Sequence, residues 1–271
     1  MTEYNKGILT LITGSSGFLG SKLHHQKSSS GINDLRLFDK DTPTLPSENF
    51  SNVFHLAALV NYNIQESKAL FENNVLFTES ICKKYPDSKI VLSSTVSVYP
   101  ISKIELTELS QVGTTKPYAL SKLWAEQIVK TQNKYSIIRF SSLYGENMKE
   151  TTLIPIYVNQ ALKDGIIEVW GDGSRRQNYI HVDDACNLLE AAMKNKTNGL
   201  YLGVGEKEWS NLEIAEIIGG EIGAKIKFVG EDQSPSFKYN NEITRSNLDW
   251  MSKTNLEIGI KQYIKWKRKS Y

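Results

Sequence analysis

The sequence predicts an α/β fold, a doubly wound parallel sheet carrying a smaller C-terminal lobe. Three observations predict it. Short apolar runs alternate with helix-length stretches through the first half, a glycine-rich turn follows the first run, and the texture changes near Gly145. Runs that are continuously apolar mark strands covered on both faces, and strand–helix alternation marks a parallel sheet. At 271 residues the chain can hold one large domain, or a large one and a small one, around a sizeable core.

Taken in order, residues 8–13, 35–39, 53–56, 90–93 and 137–140 are the expected strands, each buried on both faces. A helix is expected from about 64 to 85, with Phe71, Val75, Thr78, Cys82 and Tyr85 on one stripe and Pro86 stopping it. Another opens at Pro117, a favoured first helical residue, and runs to about Asn133. Beyond Gly145, helical patterns at 154–163, 183–194 and 211–218 are separated by strand-like pieces at 166–170, 200–204 and 225–228. Residues 1–150 are expected to form the sheet domain, with contributions from about 178–204, and residues 151–271 mainly the smaller lobe.

Composition excludes several classes. With 32 basic and 30 acidic side chains the net charge is +2, which lacks the basic excess of a dedicated nucleic-acid binder. Two cysteines, Cys82 and Cys186, build no disulfide framework and point to a reducing compartment. The first residues are polar, and no apolar run reaches the length of a membrane span. A soluble cytoplasmic protein is therefore expected, with no membrane or nucleic-acid partner. The basic stretch 265–269 reads as a solvated helix end whose cations complement the helix dipole.

Two constellations carry chemistry. After the first strand stands Thr13-Gly14-Ser15-Ser16-Gly17-Phe18-Leu19-Gly20, and Asp39 ends the second strand 19 residues beyond Gly20. Glycines there allow a tight turn and close backbone approach to a pyrophosphate, which the helix N-terminus then binds; the acid suits ribose hydroxyls. The alternative is a glycine-rich turn beside a surface aspartate, but the strand–turn–helix context favours a dinucleotide. Asp39 would repel a 2′-phosphate, which favours NAD over NADP, although Lys40 tempers that choice.

The second constellation is Tyr118 and Lys122, one turn apart near a helix start. A phenol with pKa near ~10 is a poor base at neutral pH, and an adjacent ammonium and a cationic nicotinamide would both favour its phenolate. Such a pair could exchange a carbinol proton while a nicotinamide exchanges hydride. An ordinary surface contact is the alternative, since the spacing is common by chance. Thr95, just beyond the fourth strand, could hydrogen-bond the reacting oxygen, or merely satisfy loop backbone groups. The four histidines show no metal-ligand spacing, and His55 and His181 are expected to be structural.

As a set these residues resemble the extended short-chain dehydrogenase/reductase family, in its NAD-dependent sugar-nucleotide epimerase/dehydratase group. The resemblance runs through TGSSGFLG, the Asp39 strand end, His55-Leu56-Ala57-Ala58, Asn74-Val75, LSSTVSVY, PYALSK, RFSSLYG, GDGSRRQNYIHVDDA and LGVGEKEWSNLEIAEII, nearly the whole chain. It implies a Rossmann-type NAD-binding domain, a C-terminal substrate lobe and a catalytic triad of Thr95, Tyr118 and Lys122. It implies cofactor contacts at Gly14, Gly17, Phe18, Leu19, Gly20, Asp39, Lys40, Leu56, Ala57, Ala58, Asn74, Ser93 and Phe140, besides Tyr118 and Lys122. Substrate contacts would fall on Thr95, Ser97, Ser142, Thr152 and Arg176, and a homodimer would pack through helices 64–85 and 117–133.

Departures from the family pattern sharpen the expectations. Only 13 residues separate Asp39 from Val53, where the family fits a helix and another strand, so one edge strand should be missing and adenine more exposed. Val96-Ser97 replaces the Asp-Glu of sugar 4,6-dehydratases, and the loop lacks both the glutamate of decarboxylating members and the cysteine of epimerase-reductases. The usual pyrophosphate arginine aligns with Gln177, leaving Arg175 or Arg176 to substitute, with Arg176 preferred. The resemblance thus implies an NAD-dependent epimerase on a nucleotide-activated sugar, acting at C4. The alternatives are a reductase or dehydrogenase of a nucleotide keto-sugar and a non-catalytic dinucleotide sensor.

Overall fold

The computed structural model describes residues 9–31, 34–42 and 44–269. The chain runs through β1 (Thr10–Thr13), α1 (Phe18–Ser29), β2 (Leu35–Phe38) and β3 (Asn52–His55). A 3-10 turn at Ile64–Glu66 then leads into α2 (Ser67–Leu70), a π-helical turn (Phe71–Leu76) and α3 (Phe77–Lys84). Next come β4 (Lys89–Thr95), α4 (Pro117–Val129), β5 (Tyr135–Phe140), β6 (Ser142–Tyr144), α5 (Leu153–Asp164) and β7 (Ile166–Trp170). The rest comprises β8 (Arg176–His181), α6 (Val182–Lys194), β9 (Gly199–Gly203), β10 (Glu208–Ser210), α7 (Asn211–Ile222), β11 (Lys225–Val229), α8 (Glu242–Leu248) and α9 (Leu256–Arg268).

Six strands form one parallel sheet in the order β2-β1-β3-β4-β5-β9. Successive residues of a strand serve opposite layers. Ile12, Phe54 and Ile138 pack with Leu23 of α1 and Leu188 and Leu189 of α6, whereas Leu11, Val53 and Ile137 pack with Ile81 of α3 and Ala125 and Val129 of α4. Strand order reverses at β1, so a crevice opens beyond the carboxyl ends of β1 and β3, where open α/β sheets bind ligands. A separate core in the C-terminal part gathers Ile154, Val158, Ile167, Ile214, Ile218 and Ile260. A three-stranded sheet, β10-β8-β6, and the parallel pair β11-β7 complete the structure.

The missing strand is confirmed in place: no helix or strand lies in the described residues between β2 and β3. That trimming corrects one expectation. β2 is not buried on both faces, because it is the sheet edge and nothing stands outside it; Leu37 is 39% exposed. The 64–85 helix also differs from a regular one. Its π-helical turn inserts a residue into the ladder, so Val75, Thr78, Cys82 and Tyr85 are buried while Phe71 faces out and meets Trp124 edge-on at 5.1 Å. α4 stops at Val129, short of Asn133, and Ile8 lies outside the described residues. Among the described residues no helix is long and apolar enough to cross a membrane.

Candidate active site

The glycine turn is held by backbone contacts and by the Asp39 carboxylate. Gly14 has φ +69°, in the left-handed region that suits glycine, and its N–H donates to the Phe38 carbonyl at 2.9 Å. A Cβ on Gly14 would stand 2.7 Å from the Ala57 backbone, so the turn and the loop after β3 cross at contact distance. Ala57 N–H in turn donates to Thr13 Oγ1 at 3.3 Å. α1 begins at Gly17 with no side-chain cap, which leaves its first-turn N–H groups for an anion. Asp39 Oδ2 accepts from Ser16 N–H at 2.7 Å and Oδ1 from Lys40 N–H at 2.9 Å. Burial raises the Asp39 pKa, but the Ser16 and Lys40 donors outweigh it and hold the carboxyl below its ordinary value.

Tyr118 and Lys122 are set by α4, which opens with Pro117 in its first turn. Both are buried, Tyr118 to 9% and Lys122 to 1% exposure. Desolvation lowers the Lys122 ammonium to about 8, and Glu126, one turn further on, opposes that fall. Burial works against the acidified phenol expected from Lys122 and a bound cationic nicotinamide together. Burial pushes the Tyr118 phenol above its ordinary value, and Tyr62 adds to the rise. Tyr62 lies edge-on to Tyr118 with ring centroids 5.8 Å apart. Across the crevice Thr95 ends β4; its Oγ1 accepts from Ser97 N–H at 3.1 Å, capping a short 3-10 turn at Val96–Val98.

One cavity of about 430 Å³ joins these parts. Its wall includes Gly14, Gly17, Phe18, Ser93, Thr95 and Tyr118. A second cavity of about 250 Å³ adjoins it, sharing Tyr62, Val96, Ser97, Ser141 and Ser142 and extending to Arg175, Phe237 and Tyr239. Among the described residues no Asp, Glu or Cys lines either cavity. His55 is fully buried between the Thr13 and Thr78 hydroxyls at 2.8 Å each, and desolvation, then Lys122, holds it at about 3. His181 caps α6 by accepting from Asp183 N–H. Both are structural, as the sequence implied.

Residues 10–203, more than half of the chain, match the family model described as the NAD dependent epimerase/dehydratase family. The chain belongs to this family. Its relatives include the UDP-N-acetyl-alpha-D-glucosaminuronate decarboxylase of Bacillus cytotoxicus, 25% identical over 95% of this chain and 97% of that protein. Another is the UDP-glucuronate 4-epimerase of Thermodesulfobacterium geofontis, 24% identical over 88% of this chain and 78% of that protein. Among solved structures, MoeE5 in complex with UDP-glucose and NAD superposes with a TM-score of 0.86 at 23% identity, covering 97% of this chain and 99% of that one. The chain is thus a member of the NAD-dependent sugar-nucleotide epimerases and dehydratases.

Within this epimerase/dehydratase fold, the expected residues divide by location. Gly14, Gly17, Phe18, Leu19, Gly20, Leu56, Ala58, Ser93, Thr95, Ser97, Tyr118, Phe140 and Ser142 line the first cavity. The Ala57 backbone backs the Gly14 turn, and Lys122, one turn after Tyr118 on α4, is buried; neither is on the cavity wall. Asp39 and Lys40 stand off its wall at the trimmed edge, next to the glycine turn through Ser16. Asn74 is consumed by structure. It bonds both backbone groups of Leu59 and the Ser121 hydroxyl, and Ser121 donates to the Tyr118 carbonyl at 2.7 Å, so the π-helical turn holds both the Leu59 loop and α4.

Two expected substrate contacts are not in either cavity. Thr152 stands just before α5 without a side-chain cap bond, and its hydroxyl donates to the Lys149 carbonyl at 3.1 Å. Arg176 pairs with Glu213 at 3.0 Å, because β8 begins there and turns its side chain toward α7. Arg175 faces the second cavity instead, and its Nε is buried without a hydrogen-bond partner among the described residues. Sequence reading missed Tyr62, Phe237 and Tyr239, which come from irregular loops without periodicity, and Lys116, which precedes Pro117.

Proposed function

We propose that this protein is an NAD-dependent epimerase that inverts a carbinol, at C4, of a nucleotide-activated sugar. The observation that carries the reading is the continuity of the two cavities, from the uncapped N-terminus of α1, past Tyr118 and Thr95, to Arg175. The glycine turn suits the cofactor: the Gly14 position admits no Cβ and the first turn of α1 carries no side-chain cap. NAD, when bound, accepts and returns a hydride. The Lys122 ammonium, one turn along α4, and the positive ring of bound NAD would favour the Tyr118 phenolate against the burial that raises it, so that Tyr118 Oη takes and returns the proton of the sugar hydroxyl while Thr95 Oγ1 donates to that oxygen. Tyr62 covers Tyr118 and keeps water away. Arg175 pairs with the diphosphate, for which its unpartnered Nε is a ready donor.

The lining favours epimerisation over elimination or decarboxylation, since neither cavity carries a carboxylate or thiol that could act as a second acid or base. The exposed apolar stripe of Phe71, Leu76, Leu120 and Trp124 on the π-helical turn and α4 fits a homodimer. The buried free thiols of Cys82 and Cys186, both raised to about 12 by burial, suit a reducing cytoplasm. The test is incubation with UDP-, dTDP- and GDP-sugars without added cofactor. Interconversion of two epimers is expected, abolished in Tyr118→Phe with NAD still bound. Turnover only with stoichiometric oxidation of added reduced cofactor would make the protein a reductase, and a wild-type rate in Tyr118→Phe would refute the base.

A further inference from the structure

One buried ion pair lies behind the active site. Glu126 follows Tyr118 and Lys122 at four-residue intervals on α4 and is wholly buried. Its Oε1 accepts from the Ser94 hydroxyl at 2.5 Å and from Arg139 Nε at 3.0 Å, and its Oε2 accepts from Arg139 Nη2 at 2.7 Å. Ser94 and Arg139 are paired in register on β4 and β5, immediately before Thr95 and Phe140. Arg139 Nη1 donates to the Tyr99 hydroxyl at 2.8 Å, and its guanidinium sits 4.8 Å from the Tyr99 ring centre. Tyr99 lines the second cavity and donates to the Thr107 carbonyl at 2.9 Å. A single carboxylate thus ties together the helix of Tyr118 and Lys122, the strand end of Thr95, the strand leading to Ser141 and Ser142, and a wall of the proposed sugar cavity.

Burying two charges is costly, and a well-packed apolar pair would serve stability as well or better. A pair retained in this position calls for another use. We propose that Glu126, clamped by Arg139 and Ser94, is a positioning residue that keeps Lys122 charged, one turn after Tyr118, while fixing α4 against the strand end that carries Thr95. This rests on the reading of Tyr118 and Lys122 as catalytic. The titratable or charged groups facing Lys122 are Tyr118 and Glu126 on its own helix, His55 on β3 and, behind Glu126, Arg139 on β5. His55 is held neutral by burial and Tyr118 is raised by it, so Glu126 is the carboxylate of the set. It opposes the desolvation that brings Lys122 down to about 8.

The experiment is the pH profile of kcat/KM, which reports groups in the free enzyme, for wild type, Glu126→Gln and the double variant Glu126→Gln with Arg139→Met. The double variant leaves no unpaired buried guanidinium. Removing the anion lowers the Lys122 pKa, so the alkaline limb moves toward acid. For Glu126→Gln, opposite charges one helical turn apart at an effective dielectric near 20 predict roughly one to two pH units; the double variant, which also removes the opposing guanidinium, should shift less. At pH 8.5 Glu126→Gln should lose about tenfold or more and the double variant less, and below about pH 6.5 both should stay within a few-fold of wild type. Glu126→Asp should return the limb toward its wild-type position. A loss uniform across pH, an unmoved limb, or a double variant that cannot fold would overturn the proposal by leaving the pair only a packing role. A wild-type rate in Tyr118→Phe, measured alongside, would instead remove the catalytic reading beneath it.

Discussion

Replacing Gly14 by alanine probes the crossing on which the cofactor site depends. At φ +69° an L-residue costs roughly 1–2 kcal/mol. The new Cβ would lie 2.7 Å from both Cα and N of Ala57 and 3.0 Å from the Leu56 carbonyl carbon, all backbone atoms with no rotamer to give way. Overpacking of that kind adds about 1–3 kcal/mol. The sum, about 2–5 kcal/mol, can be relieved only by separating the turn from the loop after β3, which moves the first turn of α1 off the position where it meets a pyrophosphate. The expected result is a fall in NAD affinity of about 30-fold or more, at about 1.4 kcal/mol per decade, or an equivalent loss of stability. Titration calorimetry with NAD and thermal unfolding of the same sample measure the two shares. Wild-type affinity together with a wild-type unfolding temperature would refute the reasoning, since the strain would then have no expression.

Other perturbations test separate parts. Arg175→Met should raise KM for a nucleotide sugar by about 10- to 100-fold with kcat little changed, as expected for a lost charge-assisted hydrogen bond to phosphate; Arg176→Met, measured in the same steady-state assay, should not. Trp124→Glu puts a charge in the exposed stripe and should convert a dimer to monomers in sedimentation velocity without changing the protein's secondary structure by circular dichroism. His55 has a folded pKa of about 3 against an ordinary value of 6.5, so the unfolded chain binds the extra proton. Its contribution is therefore a loss of stability as pH falls from about 6.5 toward 3, up to about 1.4 kcal/mol per pH unit. Urea melts between pH 7 and 5 should show that slope in wild type and a shallower one in His55→Asn.

Much of this molecule can be read from its sequence because its strongest signals are local. A glycine that must take positive φ, a proline in a first helical turn and an i,i+4 pair are each fixed by neighbours a few residues away, so the glycine turn, the start of α4 and the placing of Tyr118 and Lys122 one turn apart follow directly. The 13-residue gap after Asp39 likewise announces the absent edge strand. What it does not announce is that β2 thereby becomes the edge: LRLF reads the same whether a neighbour covers it or not, because burial of a strand belongs to the sheet and not to the run.

The site's misreadings have the same origin one level down. Arg175 and Arg176 are chemically identical neighbours, and which one meets the substrate cavity depends on where β8 starts and what lies opposite. The capping box of α7 holds Glu213 where it can claim Arg176, since Glu213 bonds Ser210 and the arginine together, and Arg175 then takes the cavity by exclusion. Charge state is equally nonlocal. The Tyr–Lys spacing alone suggests an acidified phenol, but burial acts on both groups, raising the phenol and lowering the ammonium, and only a buried anion a turn away limits the second effect. Sequence spacing therefore finds the proposed catalytic pair, whereas the packing behind it decides the charge that the pair carries.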